Sequence, residues 1–270
     1  MNQAIGVIDS GVGGLTVAHE LMRQLPGESL IYLGDTLRCP YGPRSEAEVK
    51  RFTWEMVNFL LPKDIKMLVI ACNTATAFTL TELQEQLPIP VIGVIKPGAR
   101  AAIKYTTNGH VGVIGTEGTI RSEAYATALK HIKADVRVNS LACPLFVPMV
   151  EQGVLSGERA DHIVAQSLKP LKEQNHIDTL ILGCTHYPLI IDTIQKTIGD
   201  QVTVISSSEE TARETSTILE FHNQLQTGVA TPTHQFYTTG DIGIFVKITE
   251  GIFKASADQF QSVSIKRAII

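Results

Sequence analysis

Two cysteines stand in matching surroundings far apart in the chain. Ala71-Cys72-Asn73-Thr74 closes one apolar run, and Gly183-Cys184-Thr185-His186 closes another. A thiol at a strand end that opens a helix meets the positive end of the helix dipole. That lowers its pKa from ~8.5 toward neutrality, where the thiolate can serve as a base. Asp9 and His186 are candidate tuners, since a carboxylate disfavours a thiolate and an imidazolium favours it. Two such thiols facing each other across a cleft make a symmetric acid/base pair. That suits removal of a proton from one face of a carbon and delivery to the other. A single base would mostly return the proton to the face it left.

The elements that must position these thiols follow a regular alternation. Strands are expected at residues 4–8, 30–33, 67–71, 91–94, 111–114, 136–141, 179–182, 202–205 and 235–239. Helical patterns lie between most of them, around 15–25, 45–60, 74–87, 121–132, 157–171, 189–198 and 207–222. Ser45-x-x-Glu48 and Ser207-x-x-Glu210 have the form of capping boxes. Alternating βα units imply parallel sheets covered by helices, with ligands at the carboxyl ends of strands. Asp9-Ser10, Asp35-Thr36, Cys72-Asn73-Thr74, Thr116 with Thr119, and Cys184-Thr185-His186 all fall at such ends.

The halves repeat one another. Ile5-Gly6-Val7-Ile8 is echoed by Val111-Gly112-Val113-Ile114, Cys39-Pro40 by Cys143-Pro144, and Cys72 by Cys184, at offsets of 106, 104 and 112 residues. The order is the same in both, so a duplicated α/β domain with a pseudo-twofold relation is expected. One domain would comprise residues 1–96 plus 208–270, the other 97–207, with the site in the cleft between them.

The chain has 270 residues, 44% hydrophobic and 19% charged, with mean hydropathy +0.11. This excludes intrinsic disorder. A net charge of −4 argues against a nucleic-acid binder with a broad basic surface. No apolar run approaches a membrane span, and residues 1–4 lack the pattern of a signal peptide, so a soluble cytoplasmic protein is expected. The four cysteines have no CxxC pair, which argues against a zinc ribbon, and they should be free thiols. Cys39 and Cys143 read as buried structural residues. The loop Gly11–Gly14 lacks the end of a P-loop. It serves a tight strand–helix turn or a cradle for an anion. Lys96 reads as a solvated loop lysine rather than a pyridoxal anchor. Cys184-x-His186 alone is a poor metal motif. Glu151 by itself reads as a solvated turn residue.

Four motifs together carry a resemblance. Residues 6–15 (Gly6-Val7-Ile8-Asp9-Ser10-Gly11-Val12-Gly13-Gly14-Leu15), Arg38-Cys39-Pro40-Tyr41-Gly42, Ala71-Cys72-Asn73-Thr74-Ala75 and Gly183-Cys184-Thr185-His186-Tyr187-Pro188 resemble the glutamate racemases of the aspartate/glutamate racemase family. The likeness extends from about residue 5 to about 240 and is less diagnostic beyond. It implies a cofactor-independent and metal-independent two-base racemase that supplies D-glutamate for bacterial cell walls. By that resemblance Cys72 removes the α-proton of D-glutamate and Cys184 that of L-glutamate. Asp9 would assist Cys72, and His186 would assist Cys184 with Glu151 near it. Asp9, Ser10, Tyr41, Gly42, Asn73, Thr74, Thr185 and His186 match substrate-binding positions, with Thr116 and Thr119 as additions. A homodimer is the implied assembly. Other readings of the residues are a racemase with a different side-chain pocket, a thiol amidase using Cys184 with His186, and a two-lobed binding protein.

Overall fold

The computed structural model describes residues 3–174, 176–226, 232–253 and 263–270. The first half runs β1 (Ala4–Asp9), α1 (Leu15–Gln24), β2 (Leu30–Gly34), α2 (Glu46–Leu60), β3 (Ile65–Ile70), α3 (Asn73–Gln86), β4 (Val91–Gly93) and α4 (Ile95–Tyr105). The second runs β5 (His110–Gly115), α5 (Glu117–Arg121), α6 (Ala124–Ile132), β6 (Arg137–Ala142), α7 (Phe146–Glu151), α8 (Glu158–Gln174), β7 (Thr179–Gly183), α9 (Ile191–Ile198) and β8 (Thr203–Ser206). Then α10 (Ser207–Phe221), β9 (His234–Thr238), α11 (Ile242–Phe253) and β10 (Val263–Arg267) complete the described elements.

Two parallel sheets result. One has the order β10-β9-β2-β1-β3-β4 and the other β6-β5-β7-β8. The run β2-β1-β3-β4 has the same connectivity as β6-β5-β7-β8, with the first strand of each half inside its sheet. Every residue of β1, β2, β3 and β7 is buried, as expected of strands covered by helices on both faces. Alternate residues serve opposite faces: Ile5 and Val7 join one core with Tyr32, Met67 and Val69, whereas Ile8 joins another with Leu33, Leu68 and Ile70.

The late strand β9 returns to pair with β2, so the first sheet uses both ends of the chain. A buried ion pair fastens this return. Lys66 Nζ lies 2.6 Å from Glu28 Oε2 and donates to the Gln224 carbonyl at 2.6 Å, while the Gln226 N–H donates to Glu28 Oε1 at 2.8 Å.

His234 opens β9 and accepts from the Leu30 N–H at 3.3 Å. Burial pushes its pKa down to about 4. Folding therefore favours the neutral ring, and between about pH 6.5 and pH 4 the unfolded chain binds the extra proton. Stability should fall by about 2–3 kcal/mol as the pH drops through that window. Urea unfolding at pH 7.5 and 4.5 checks this. His234→Gln should show a shallower loss than the parent, and equal slopes would mean that His234 titrates normally.

Several local expectations are corrected. The Ser45–Glu48 capping box forms at α2, but α10 is capped by Ser206, whose Oγ accepts from Ser208 N, not by Ser207 with Glu210. The expected helix 121–132 is α6, which starts only at Ala124: Arg121 ends the short α5, and Glu123 between them takes φ 54°. The expected helix 189–198 begins as a 3-10 turn, Tyr187–Ile190, before α9. Lys96 is not in a loop: it is an exposed residue in the first turn of α4. Pro97 and Gly98 look like breakers in sequence, yet a proline in a first turn gives up an N–H that has no partner there.

Candidate active site

Cys72 and Cys184 end β3 and β7, the corresponding strands of the two sheets, and their side chains line one small shared cavity. Its volume is about 10 Å³, the scale of a single water. Ser10, Tyr41, Gly42, Asn73 and Thr74 contribute the wall from the first half. Thr116, Thr185 and His186 contribute the wall from the second. Pro40, which the sequence placed in a motif but not in the site, and Val147 complete it. Asp9, Thr119 and Glu151 stand behind this lining and act on it through hydrogen bonds.

On the Cys72 side, the sulfur is the N-cap of α3 and accepts from Ala75 N at 3.4 Å, with Ser10 Oγ also at 3.4 Å. The helix start was expected to bring this thiol toward neutrality. Burial outweighs it: desolvation, aided by the Asp9 charge, pushes Cys72 up to about 12. Asp9 is itself fully buried. Burial raises its pKa against the lowering effects of His186, the Gly14 and Gly11 N–H groups, and Thr185. Gly11 N donates to Asp9 Oδ1 at 2.9 Å and Thr185 Oγ1 to Oδ2 at 3.1 Å, so one carboxylate ties both halves together.

On the Cys184 side, no α-helix follows directly, since α9 starts only at Ile191. A side-chain relay stands there instead. Cys184 Sγ lies 3.8 Å from His186 Nδ1, and His186 Nε2 lies 2.6 Å from Glu151 Oε1. Burial disfavours the imidazolium, but contacts with Cys184, Cys39 and Glu151 overturn it and hold His186 well above its usual pKa. Burial would likewise raise Glu151, but the hydrogen bond and charge of His186 hold it below the ordinary carboxylate range. Glu151 is thus not a solvated turn residue. It ends α7 with its side chain 26% exposed, paired to a histidine 35 positions away.

The polar groups at and behind the cavity are suited to an anion. Thr74 Oγ1 is 2.8 Å from Thr116 Oγ1 and 3.1 Å from Thr119 Oγ1, a triangle of hydroxyls joining the halves. Asn73 Oδ1 accepts from Tyr125 OH at 2.7 Å, which turns its Nδ2 into a buried donor with no partner. Leaving such a donor unpaired costs about 1–3 kcal/mol, so a carboxylate placed there would be held in part by relieving it. The Tyr41 hydroxyl is committed to Asp35 Oδ2 at 2.5 Å.

The glycines of the first loop have a role beyond the turn. A Cβ at Gly13 would stand 2.5 Å from His186 Nδ1 and from Thr185 Oγ1, and 2.8 Å from His186 N. One at Gly42 would stand 2.6 Å from Thr116 Cβ. Both glycines let the halves approach to backbone contact, as in the Gly118 N–H bond to the Gly42 carbonyl at 2.9 Å.

Residues 5–215 match the family described as Asp/Glu/Hydantoin racemase. The chain belongs to that family. Among its family relatives, the glutamate racemase of Oceanobacillus iheyensis is 67% identical over 270 residues, covering 100% of this chain and 98% of that one. A glutamate racemase structure from Bacillus anthracis superposes with TM-score 0.93 at 51% identity, covering 99% and 98% of the two chains. One from Francisella tularensis, solved in complex with D-glutamate, superposes with TM-score 0.88 at 35% identity, covering 100% and 97%. The family fold, two α/β domains with parallel sheets flanked by helices, is the fold of this racemase family member. No helix among its described residues is long and apolar enough to cross a membrane.

Proposed function

We propose that this protein interconverts L- and D-glutamate without a cofactor, by passing protons between Cys72, the α-carbon and Cys184, and so supplies D-glutamate for peptidoglycan. The observation that carries this reading is the shared cavity: two thiols from equivalent strands open onto one space lined by anion donors. The relatives named glutamate racemase support the substrate.

In the L-to-D direction Cys184 takes the α-proton and Cys72 delivers one to the opposite face. Cys72 as an undissociated thiol is the form its surroundings favour. In the D-to-L direction the roles exchange. The carbanionic transition state gathers charge on the α-carboxylate, where Asn73 Nδ2 and the hydroxyls of Ser10, Thr74 and Thr185 act as oriented donors in a site with little water. The hydroxyl triangle with Thr116 and Thr119 fixes Thr74. His186 donates toward Cys184, and Glu151 holds the ring in place. Asp9 anchors Thr185 and the Gly11–Gly14 loop, and its charge keeps Cys72 protonated until substrate arrives.

A cavity of water size does not admit glutamate, so the halves must part. We take residues 1–96 plus 208–270 and residues 97–207 as the two moving bodies, closing by the threonine and glycine contacts once substrate is in. The protein acts in the cytoplasm as a homodimer, for which exposed Leu155, Ile242 and Ile244 offer apolar surface.

The test is incubation of each glutamate enantiomer in deuterated water, followed early by chiral separation and mass measurement. Deuterium should enter the product enantiomer and be nearly absent from recovered substrate. Equal early labelling of both would point to one base and defeat the two-thiol reading.

A further inference from the structure

Cys39 exchanges no proton in that mechanism, and its sulfur is not simply packed in an apolar wall. Sγ approaches Glu151 Oε1 at 3.5 Å, the same oxygen that meets His186 Nε2 at 2.6 Å. One ligand atom from each of Cys39, Glu151 and His186 lies within 4.8 Å of the others. The three come from separate segments, following β2, ending α7 and following β7, so no sequence spacing announces them. Sulfur, imidazole nitrogen and carboxylate oxygen form a donor set typical of four-coordinate zinc, bound at about 2.0–2.3 Å. On a tetrahedron of those lengths neighbouring donors stand about 3.3–3.6 Å apart. The sulfur–oxygen pair is already at that spacing, and the nitrogen–oxygen pair needs to open by less than about 1 Å. Cys39 and Glu151 are partly exposed, and a water would supply the fourth ligand. Gly11 makes the room: a Cβ there would stand 2.8 Å from Glu151 Oε1 and 2.9 Å from Cys39 Sγ.

We infer that Cys39, Glu151 and His186 form an inhibitory site for Zn²⁺ beside the reaction cavity. On binding, the Cys39 thiol proton and the proton shared by His186 and Glu151 pass to solvent, and the cation takes their place with no change of oxidation state. His186 then holds a metal at Nε2 in place of its hydrogen bond to Glu151, and the turn of the ring that opens the nitrogen–oxygen pair shifts Nδ1 relative to Cys184. The inhibition rests on the proposed racemase activity; the occupancy of the site does not.

The test pairs two readouts on the full chain. Co²⁺ serves as an optical probe, and Zn²⁺ is titrated during glutamate turnover with chelator reversal. The parent should bind one Co²⁺ with a thiolate-to-cobalt charge-transfer band that Zn²⁺ displaces. Cys39→Ala should lose the band and need at least about tenfold more Zn²⁺ for half-inhibition, with each variant's turnover referred to its own metal-free rate. Cys39→Ser, which keeps the volume, is read the same way if the alanine variant does not fold. An unchanged band and unchanged zinc sensitivity in these variants would mean that the ion has taken Cys72 and Cys184, and would overturn the assignment. So would the absence of Co²⁺ binding by the parent. If the parent fails to turn over glutamate, the racemase reading is what fails, and the cobalt titration still decides the site.

Discussion

Replacing either Cys72 or Cys184 by alanine is expected to lower glutamate racemisation by on the order of 10³-fold or more, within the reach of a lost general acid or base. The two variants should fail in different ways. With Cys184 gone, only Cys72 can reach an α-proton, so D-glutamate should still exchange its α-hydrogen slowly with deuterated solvent while L-glutamate does not. Cys72→Ala should show the reverse. Both sulfurs are buried, and removing one leaves a small void facing an existing cavity, so the melting temperature should move only slightly. Exchange of both enantiomers at similar rates in one single variant would show that a remaining group serves both faces.

Gly13→Ala, although it touches neither sulfur, should cost at least about 10² in kcat/KM, because misplacement by about 1 Å carries a penalty of that size. The added methyl would meet His186 Nδ1 and Thr185 Oγ1 at 2.5 Å, and those side chains could turn away. It would also meet the His186 backbone nitrogen at 2.8 Å, which cannot yield without moving the loop. That movement breaks the Thr185–Asp9 bond and carries His186 away from Cys184. Overpacking of this kind also lowers stability by about 1–3 kcal/mol. Gly251→Ala is the matched control. Gly251 lies within α11 with nothing near the added methyl and no left-handed backbone. It should raise stability by roughly 0.5 kcal/mol and leave turnover alone. Steady-state kinetics and denaturant melts on both variants check the pair. Near-normal kcat/KM in Gly13→Ala would mean that the halves need not close so tightly.

The buried strands were legible because they are short apolar runs that end in polar residues. β1, β3 and β7 read correctly to within a residue or two, and their polar ends named both cysteines. Elements whose local signal runs against their structure were missed. α4 carries Pro97 and Gly98 in its first turn, and α7 carries Pro148 within six residues. α11 and β10 lie beyond the stretch where the motifs are dense. The surroundings of Glu151 were unreadable locally, because its partner arrives from another strand end. The contact of Cys39 with Glu151 was hidden for the same reason. At Cys72 the start of α3 does donate to the sulfur, as a place before a helix implies, but complete burial beside Asp9 weighs more.

The two sulfurs occupy equivalent strand ends but unlike neighbourhoods, a serine and an aspartate at one and a histidine–glutamate pair at the other. Mirror-image amino acids have equal free energies in water, so a catalyst that interconverts them must show the same kcat/KM from either side, whatever its own asymmetry. The unlike neighbourhoods can therefore express themselves only in compensating fashion. Whichever enantiomer is processed faster at saturation must need, in the same proportion, a higher concentration to saturate.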